Sequence, residues 1–163
     1  MAITEKRLKK RLASYLDKGD PMDAASRDGH LETVKTLHSM GHCPVHAMDL
    51  AARQGRLKVV EYLHSIGEEC TNSAMGLAVK NGHLDVIVYF RSVGLECADS
   101  AMDSASKGGH LETVVYLHSI GMGCTHWAMD LAAKGGYLKV VKYLHSIGAP
   151  CTVWAADFAC GHG

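Results

Sequence analysis

Cysteine returns every 27 residues in this chain, at Cys43, Cys70, Cys97, Cys124 and Cys151, and each one marks the same place in a longer repeating unit. Segments beginning at Ala47, Ala74, Ala101 and Ala128 read AMDLAARQGRLKVVEYLHSIG, AMGLAVKNGHLDVIVYFRSVG, AMDSASKGGHLETVVYLHSIG and AMDLAAKGGYLKVVKYLHSIG, each followed by two residues and the cysteine. A period of roughly 20 to 50 residues dictates architecture, because one unit cannot bury its own apolar face and must stack on its neighbours. An earlier copy starting at Pro21 is one residue shorter, and a further fragment starts at Ala155. The chain divides into an N-terminal segment, 1–20, and a repeat domain, 21–163, with units 21–46, 47–73, 74–100, 101–127 and 128–154 and a partial unit 155–163.

Each unit predicts two short helices. Alanines such as Ala47 and Ala51 give the first, which ends at Gly55, Gly82, Gly109 or Gly136 because glycine takes the left-handed conformation that a sharp exit needs. The second places Leu57, Val60, Leu63 and Ile66 at offsets of three, followed by Gly67. The expected core is Ala25, Ala51, Ala78, Ala105 and Ala132 with Leu31, Leu57, Leu84, Leu111 and Leu138. Ser100 with Asp103 reads as a capping box, and Asp23, Asp49, Asp130 and Asp157 recur where a carboxylate favours a helix start. Ahead of the repeats, Leu8, Leu12, Tyr15 and Leu16 line one side of a helix suited to cover the first unit, and Asp20 and Pro21 restart the chain as cap and first helical residue. The fold class is all-α: a solenoid of stacked helix-turn-helix repeats with an N-terminal capping helix.

Lys plus Arg equals Asp plus Glu at 17 each, so no overall field draws the chain to nucleic acid or to an anionic membrane. No run approaches the roughly 20 apolar residues of a membrane span, and the basic start lacks the apolar stretch of a signal peptide. A soluble cytoplasmic protein is expected, with the nucleus as the alternative compartment. Stacked helices lie about 8 to 10 Å apart whereas disulfide-linked Cα atoms lie within about 7 Å, so adjacent cysteine rungs cannot bridge. One zinc ion with sulfur at about 2.3 Å cannot span two rungs either. The cysteines, Cys160 included, read as small buried hydrophobes.

At AMDLAAKGGYLKVVKYLHSIGAPCT the chain resembles the ankyrin repeat, and the resemblance runs from Pro21 to the end. Gly29-His30, Gly82-His83 and Gly109-His110 match the family turn, and Gly148-Ala149 matches its G-A step. Ser100 to Asp103 stands where the family has T-P-L-H, and 27 residues replace the family's 33, the missing six falling in the β-turn finger between repeats. The resemblance implies a non-enzymatic, fingerless repeat protein that binds a protein partner through its first helices and the short loops between repeats.

The position before each first helix varies: His46, Ser73, Ser100, Trp127 and Trp154. Trp127 and Trp154, beside His126 and Val153, form an aromatic pair of a residue type enriched in binding hot spots. Arg27, Arg53, Lys80, Lys107 and Lys134 form a basic ladder at the end of each first helix, fit to meet an acidic partner segment or simply to interact with the helix dipole. Val88 and Val115 make a second apolar spot. Most histidines fall in two repeat positions, one with His38, His64, His118 and His145 and another with His30, His83 and His110, as structural hydrogen bonding requires. His38, His42, Cys43 and His46 are of zinc-binding types, but Gly41 and Pro44 break their spacing; no metal or cofactor is assigned.

No phosphate-cradling loop, nucleophile elbow or isolated carboxylate pair is present, so the chain is read as non-enzymatic. The leading expectation is an adaptor or recognition module whose partner is another protein, with no nucleic acid and no membrane as ligand. The alternatives are a self-assembling repeat, dimerising through Phe158 and Leu131 at the C-terminal end, and a metal- or redox-linked module.

Overall fold

Where the first helix of a unit ends, the backbone turns over a glycine that no other residue could replace without strain. Gly82 stands at φ +73°, and the amides of Gly82 and His83 return to the carbonyls of Val79 and Ala78 at 3.2 and 3.0 Å. This pair of returning bonds closes the helix and aims the chain back along it. The computed structural model describes residues 2–17 and 19–154, and the regular structure within them is all helical. The helices are α1 (Ala2–Leu16), α2 (Pro21–Asp28), α3 (Leu31–Ser39), α4 (Ala47–Arg53), α5 (Leu57–Ser65), α6 (Asn72–Asn81), α7 (Leu84–Ser92), α8 (Ala101–Lys107), α9 (Leu111–Ser119), α10 (His126–Lys134) and α11 (Leu138–Ser146).

Helices this short are marginal alone, and packing supplies what propensity does not. The first helices α2, α4, α6, α8 and α10 each pack on the next, and each also packs on the second helix of its own unit. The second helices form an outer row in which α3 meets α5, α5 meets α7 and α9 meets α11, while α1 lies against α2 and α3. Between the rows Ala25, Ala51, Ala78, Ala105 and Ala132 are fully buried against Leu37, Leu63, Phe90, Leu117 and Leu144. Small residues on the first helices let the rows approach, and each large side chain opposite stabilises the stack by about 1.5–3 kcal/mol.

The expected leucine core needs correction. Leu31, Leu57, Leu84 and Leu111 are half-buried and Leu138 is 61% exposed. They open the second helices at the rim, while the positions three and six residues later, such as Val60 and Leu63, face the first row. The cysteines differ as well: Cys97 is buried at 8% exposure, Cys70 and Cys124 are half-buried, and Cys43 and Cys151 lie open. Cys160 falls outside the described residues. On α1, Tyr15 is buried and Leu16 exposed, so Tyr15 makes the main contact.

The capping expectations also give way. Neither Asp20 nor Ser100 makes a side-chain cap bond. Asp23, Asp49 and Asp103 do stand in first turns, but the side chains of the recurring aspartates bond the loop that closes their own unit and leads into the next first helix, and the caps that form belong to threonines. Thr71 Oγ1 accepts from Ala74 N–H at 3.0 Å and Thr125 Oγ1 from Trp127 N–H at 3.1 Å, so α6 and α10 start two residues before the repeated alanine. Among the described residues no helix is long and apolar enough to cross a membrane.

Candidate functional site

Three ties gather at the junctions of successive units, one pinning the loop that leads into the next unit and two crossing between units. The first runs from the aspartate of a first helix to the following loop. Asp23 accepts from the amides of Val45 and His46, and Asp49 from the hydroxyls of Thr71 and Ser73. Asp103 accepts from the amide and hydroxyl of Thr125 at 3.0 and 2.7 Å, and Asp130 does the same for Thr152 at 3.1 and 2.7 Å. In the second tie, the Nδ1 atoms of His38, His64 and His118 share hydrogen bonds of 2.8–2.9 Å with the hydroxyls of Tyr62, Tyr89 and Tyr143 in the next unit. In the third, His83 and His110 donate through Nε2 to the carbonyls of Arg53 and Lys80, both at 3.0 Å, and their rings lie over Gly55 and Gly82. Arg56 and Tyr137 lie over Gly29 and Gly109 in the same register. His30, His38, His64, His83, His110 and His118 therefore make the structural hydrogen bonds that their repeat positions suggested.

These ties present the tryptophans. Thr125 and Thr152 are gripped by carboxylates, and their hydroxyls in turn accept from the amides of Trp127 and Trp154 at 3.1 and 3.2 Å. The two indoles are held on neighbouring units by the same device, and they are 54% and 62% exposed. His126 lies beside Trp127 with ring centroids 5.0 Å apart, and Val153 is exposed next to Trp154. The indoles face outward, although packing over the loop below would remove apolar area from water. A fixed backbone carrying exposed indoles suits recognition, because the ordering cost has already been met by folding.

The basic ladder is at the other end of the first helices. Arg27, Arg53, Lys80, Lys107 and Lys134 all occupy last turns and are exposed. Arg27 pairs with Asp28 at 3.3 Å, a surface contact of little energy. Between ladder and loops, Leu50, Leu77 and Leu131 are half-buried on the open side of the row. Phe158 lies outside the described residues. Val88 and Val115 are exposed on α7 and α9.

The His38, His42, Cys43 and His46 group does not converge. His38 is engaged by Tyr62, and among the described residues no three His, Cys, Asp or Glu side chains stand together as metal ligands. Burial pushes the thiols of Cys70, Cys97 and Cys124 up, which lowers their thiolate fraction. The aspartate–threonine tie escaped the sequence reading, although Thr71, Thr125 and Thr152 do recur at repeat spacing.

The described structure is thus that of an all-α protein of paired helices that displays two neighbouring indoles. No protein-family model matches the chain, and no curated protein matches its sequence.

Proposed function

We propose that the chain is a non-enzymatic protein-recognition module, a fingerless ankyrin-like solenoid capped by α1, acting in the cytoplasm or nucleus. Its partner is another protein, met by the first helices and the loops between units. The carrying observation is the indole pair, Trp127 and Trp154, presented on adjacent units by identical carboxylate–threonine grips and left largely exposed. Tryptophan concentrates binding energy when a partner desolvates it, and truncating one such anchor costs about 2 kcal/mol or more. Val153 extends the apolar patch and the His126 ring flanks it, and Arg27, Arg53, Lys80, Lys107 and Lys134 supply a basic margin for a partner bearing carboxylates.

The test is a proximity-labelling comparison of the wild type with the Trp127→Ala, Trp154→Ala double variant, both first checked for equal helicity. The expected result is a partner lost from the variant that, once purified, protects residues 125–127 and 152–154 from hydroxyl-radical footprinting. A partner set unchanged by the double variant overturns the reading.

A further inference from the structure

One joint of the stack lacks two of its three ties. In the third unit Gly76 stands where Asp23, Asp49, Asp103 and Asp130 stand in the others, and Ala98 replaces the threonine of the following loop. Arg91 replaces the histidine and pairs with Glu96 at 2.9 Å within its own unit, so the Tyr116 hydroxyl has no histidine partner. Arg91 also donates to the carbonyl of Leu95 at 3.3 Å, which turns its charge back on the loop. The two losses coincide in space. Both ties belong to the loop end: the aspartate tie would pin the loop leading into α8 onto α6, and the histidine tie would join α7 to α9.

The packing agrees with the hydrogen bonds. α6 and α8 pack less closely than the other neighbours of the first row, and α7 and α9 less closely than the other neighbours of the outer row. A cavity of about 240 Å³ opens at the same place, lined by Met75, Gly76, Val79, Cys97 and Ala101. A Cβ built on Gly76 meets nothing within 4 Å. The third tie survives: His110 still lies over Gly82 and donates to the carbonyl of Lys80 at 3.0 Å.

We infer that the joint between the third and fourth units is a built-in hinge, pivoting at the His110–Gly82 contact on the turn end and opening at the Cys97 loop on the other. A joint with its ties at both ends resists rotation, whereas one tied only at the turn end rotates about that tie. The half that carries Trp127 and Trp154 moves as a unit against the first three repeats. Local opening of this kind costs less than global unfolding, because it breaks few buried contacts.

Cys97 reports the opening, since its thiol is buried at this joint alone. In the full chain with every other cysteine replaced by alanine, the labelling rate of Cys97 by a thiol reagent is measured against denaturant. A hinge gives labelling faster than global unfolding, with weak denaturant dependence. Restoring the ties with Gly76→Asp, Ala98→Thr and Arg91→His slows it roughly tenfold, the effect of about one recovered hydrogen bond. Arg91 holds Glu96, which lines the cavity, and its charge pulls the Cys97 thiol down against burial. Arg91→His is therefore read against Arg91→Gln, which removes the same charge without supplying the histidine tie. A severalfold slowing beyond that control separates closure of the joint from the lost charge and from steric shielding of the thiol. Labelling that tracks global unfolding, or a rate no slower in Arg91→His than in Arg91→Gln when both are folded, overturns the inference.

Discussion

The hydroxyl of Thr125 donates to Oδ2 of Asp103 at 2.7 Å while its own amide donates to Oδ1 at 3.0 Å, so one carboxylate holds two groups of a residue 22 positions further along. Asp103 is buried beneath the loop it holds. Hydrogen bonds to a charged group contribute about 1.5–3 kcal/mol, and water can reclaim part of that at the exposed threonine. Asp103→Ala is therefore expected to lower the unfolding free energy by about 2 kcal/mol in urea titrations. Asp49, half-buried and bonded only to hydroxyls, should lose less on the same change. Equal losses at the two positions would show that burial and amide bonding do not set the strength of the tie.

Four hydroxyls tell the opposite story. Ser26, Thr33, Ser106 and Thr113 are buried without a hydrogen-bond partner. Sister units carry Val59, Val86 and Val140 at the threonine position, all buried in the same environment. A buried hydroxyl with no partner costs about 1–3 kcal/mol, and valine has nearly the same shape. Thr113→Val should raise the unfolding free energy by about 1 kcal/mol, seen as a shift of the denaturation midpoint at constant slope. A lower midpoint would mean that the hydroxyl finds an acceptor in solution.

The repeat made the helix pairs, their glycine exits and the buried alanines legible from spacing alone. The contacts across a joint were not, because they couple residues roughly one period apart that sequence does not mark as partners. His64 and Tyr89 look like separate ladders until stacking sets one above the other at 2.8 Å. Asp103 sits at the third residue of α8, where a capping role is the natural reading, and only the loop's return over it supplies Thr125. The tryptophans were legible as a variable position but their exposure was not, since an indole at a loop can fold either way. The cysteine spacing implied equal environments, yet burial depends on the loop each one sits in, and those loops differ just after the cysteine, where Pro44, Thr71, Ala98, Thr125 and Thr152 stand.

That spread of environments predicts a spread of thiol reactivity. Cys43 and Cys151 are open, Cys70 and Cys124 are half-buried with thiols pushed up by burial, and Cys97 is the most enclosed. Because the thiolate is the nucleophile, a raised pKa and reduced access act in the same direction. In the folded protein at mildly alkaline pH, single-cysteine variants should react in the order Cys43 and Cys151, then Cys70 and Cys124, then Cys97. Denaturant should erase the differences. A Cys70 that reacts as fast as Cys43 under native conditions would contradict the burial order.

The contact that seats α1 is expected to respond to pH at both ends of the scale. Tyr15 donates to Asp28 Oδ2 at 2.6 Å and lies 2.7 Å from His30 Nδ1, which must then donate to the tyrosine oxygen, since a hydroxyl carries one proton. Burial, then the Asp28 hydrogen bond, pushes the Tyr15 hydroxyl up from 10.0 to about 12. Burial first, with Arg11 and Arg56 adding to it against the pull of Asp28, holds His30 below its usual 6.5. A raised tyrosine contributes stability that is complete below pH 10.0 and is lost as pH climbs toward about 12. A lowered histidine works the other way: its neutral form is favoured by folding, so stability falls as pH drops from 6.5 toward the lowered value and levels off below it. Hydrogen exchange of the α1 amides, corrected for intrinsic rates, should show protection greatest between these limits, and Tyr15→Phe should lower it by about 1 kcal/mol at pH 7. If the variant keeps the full acid response, His30 is acting on its own and the shared bond does not couple the two residues; if protection is flat from pH 5 to 8, the neutral histidine is not what seats the helix.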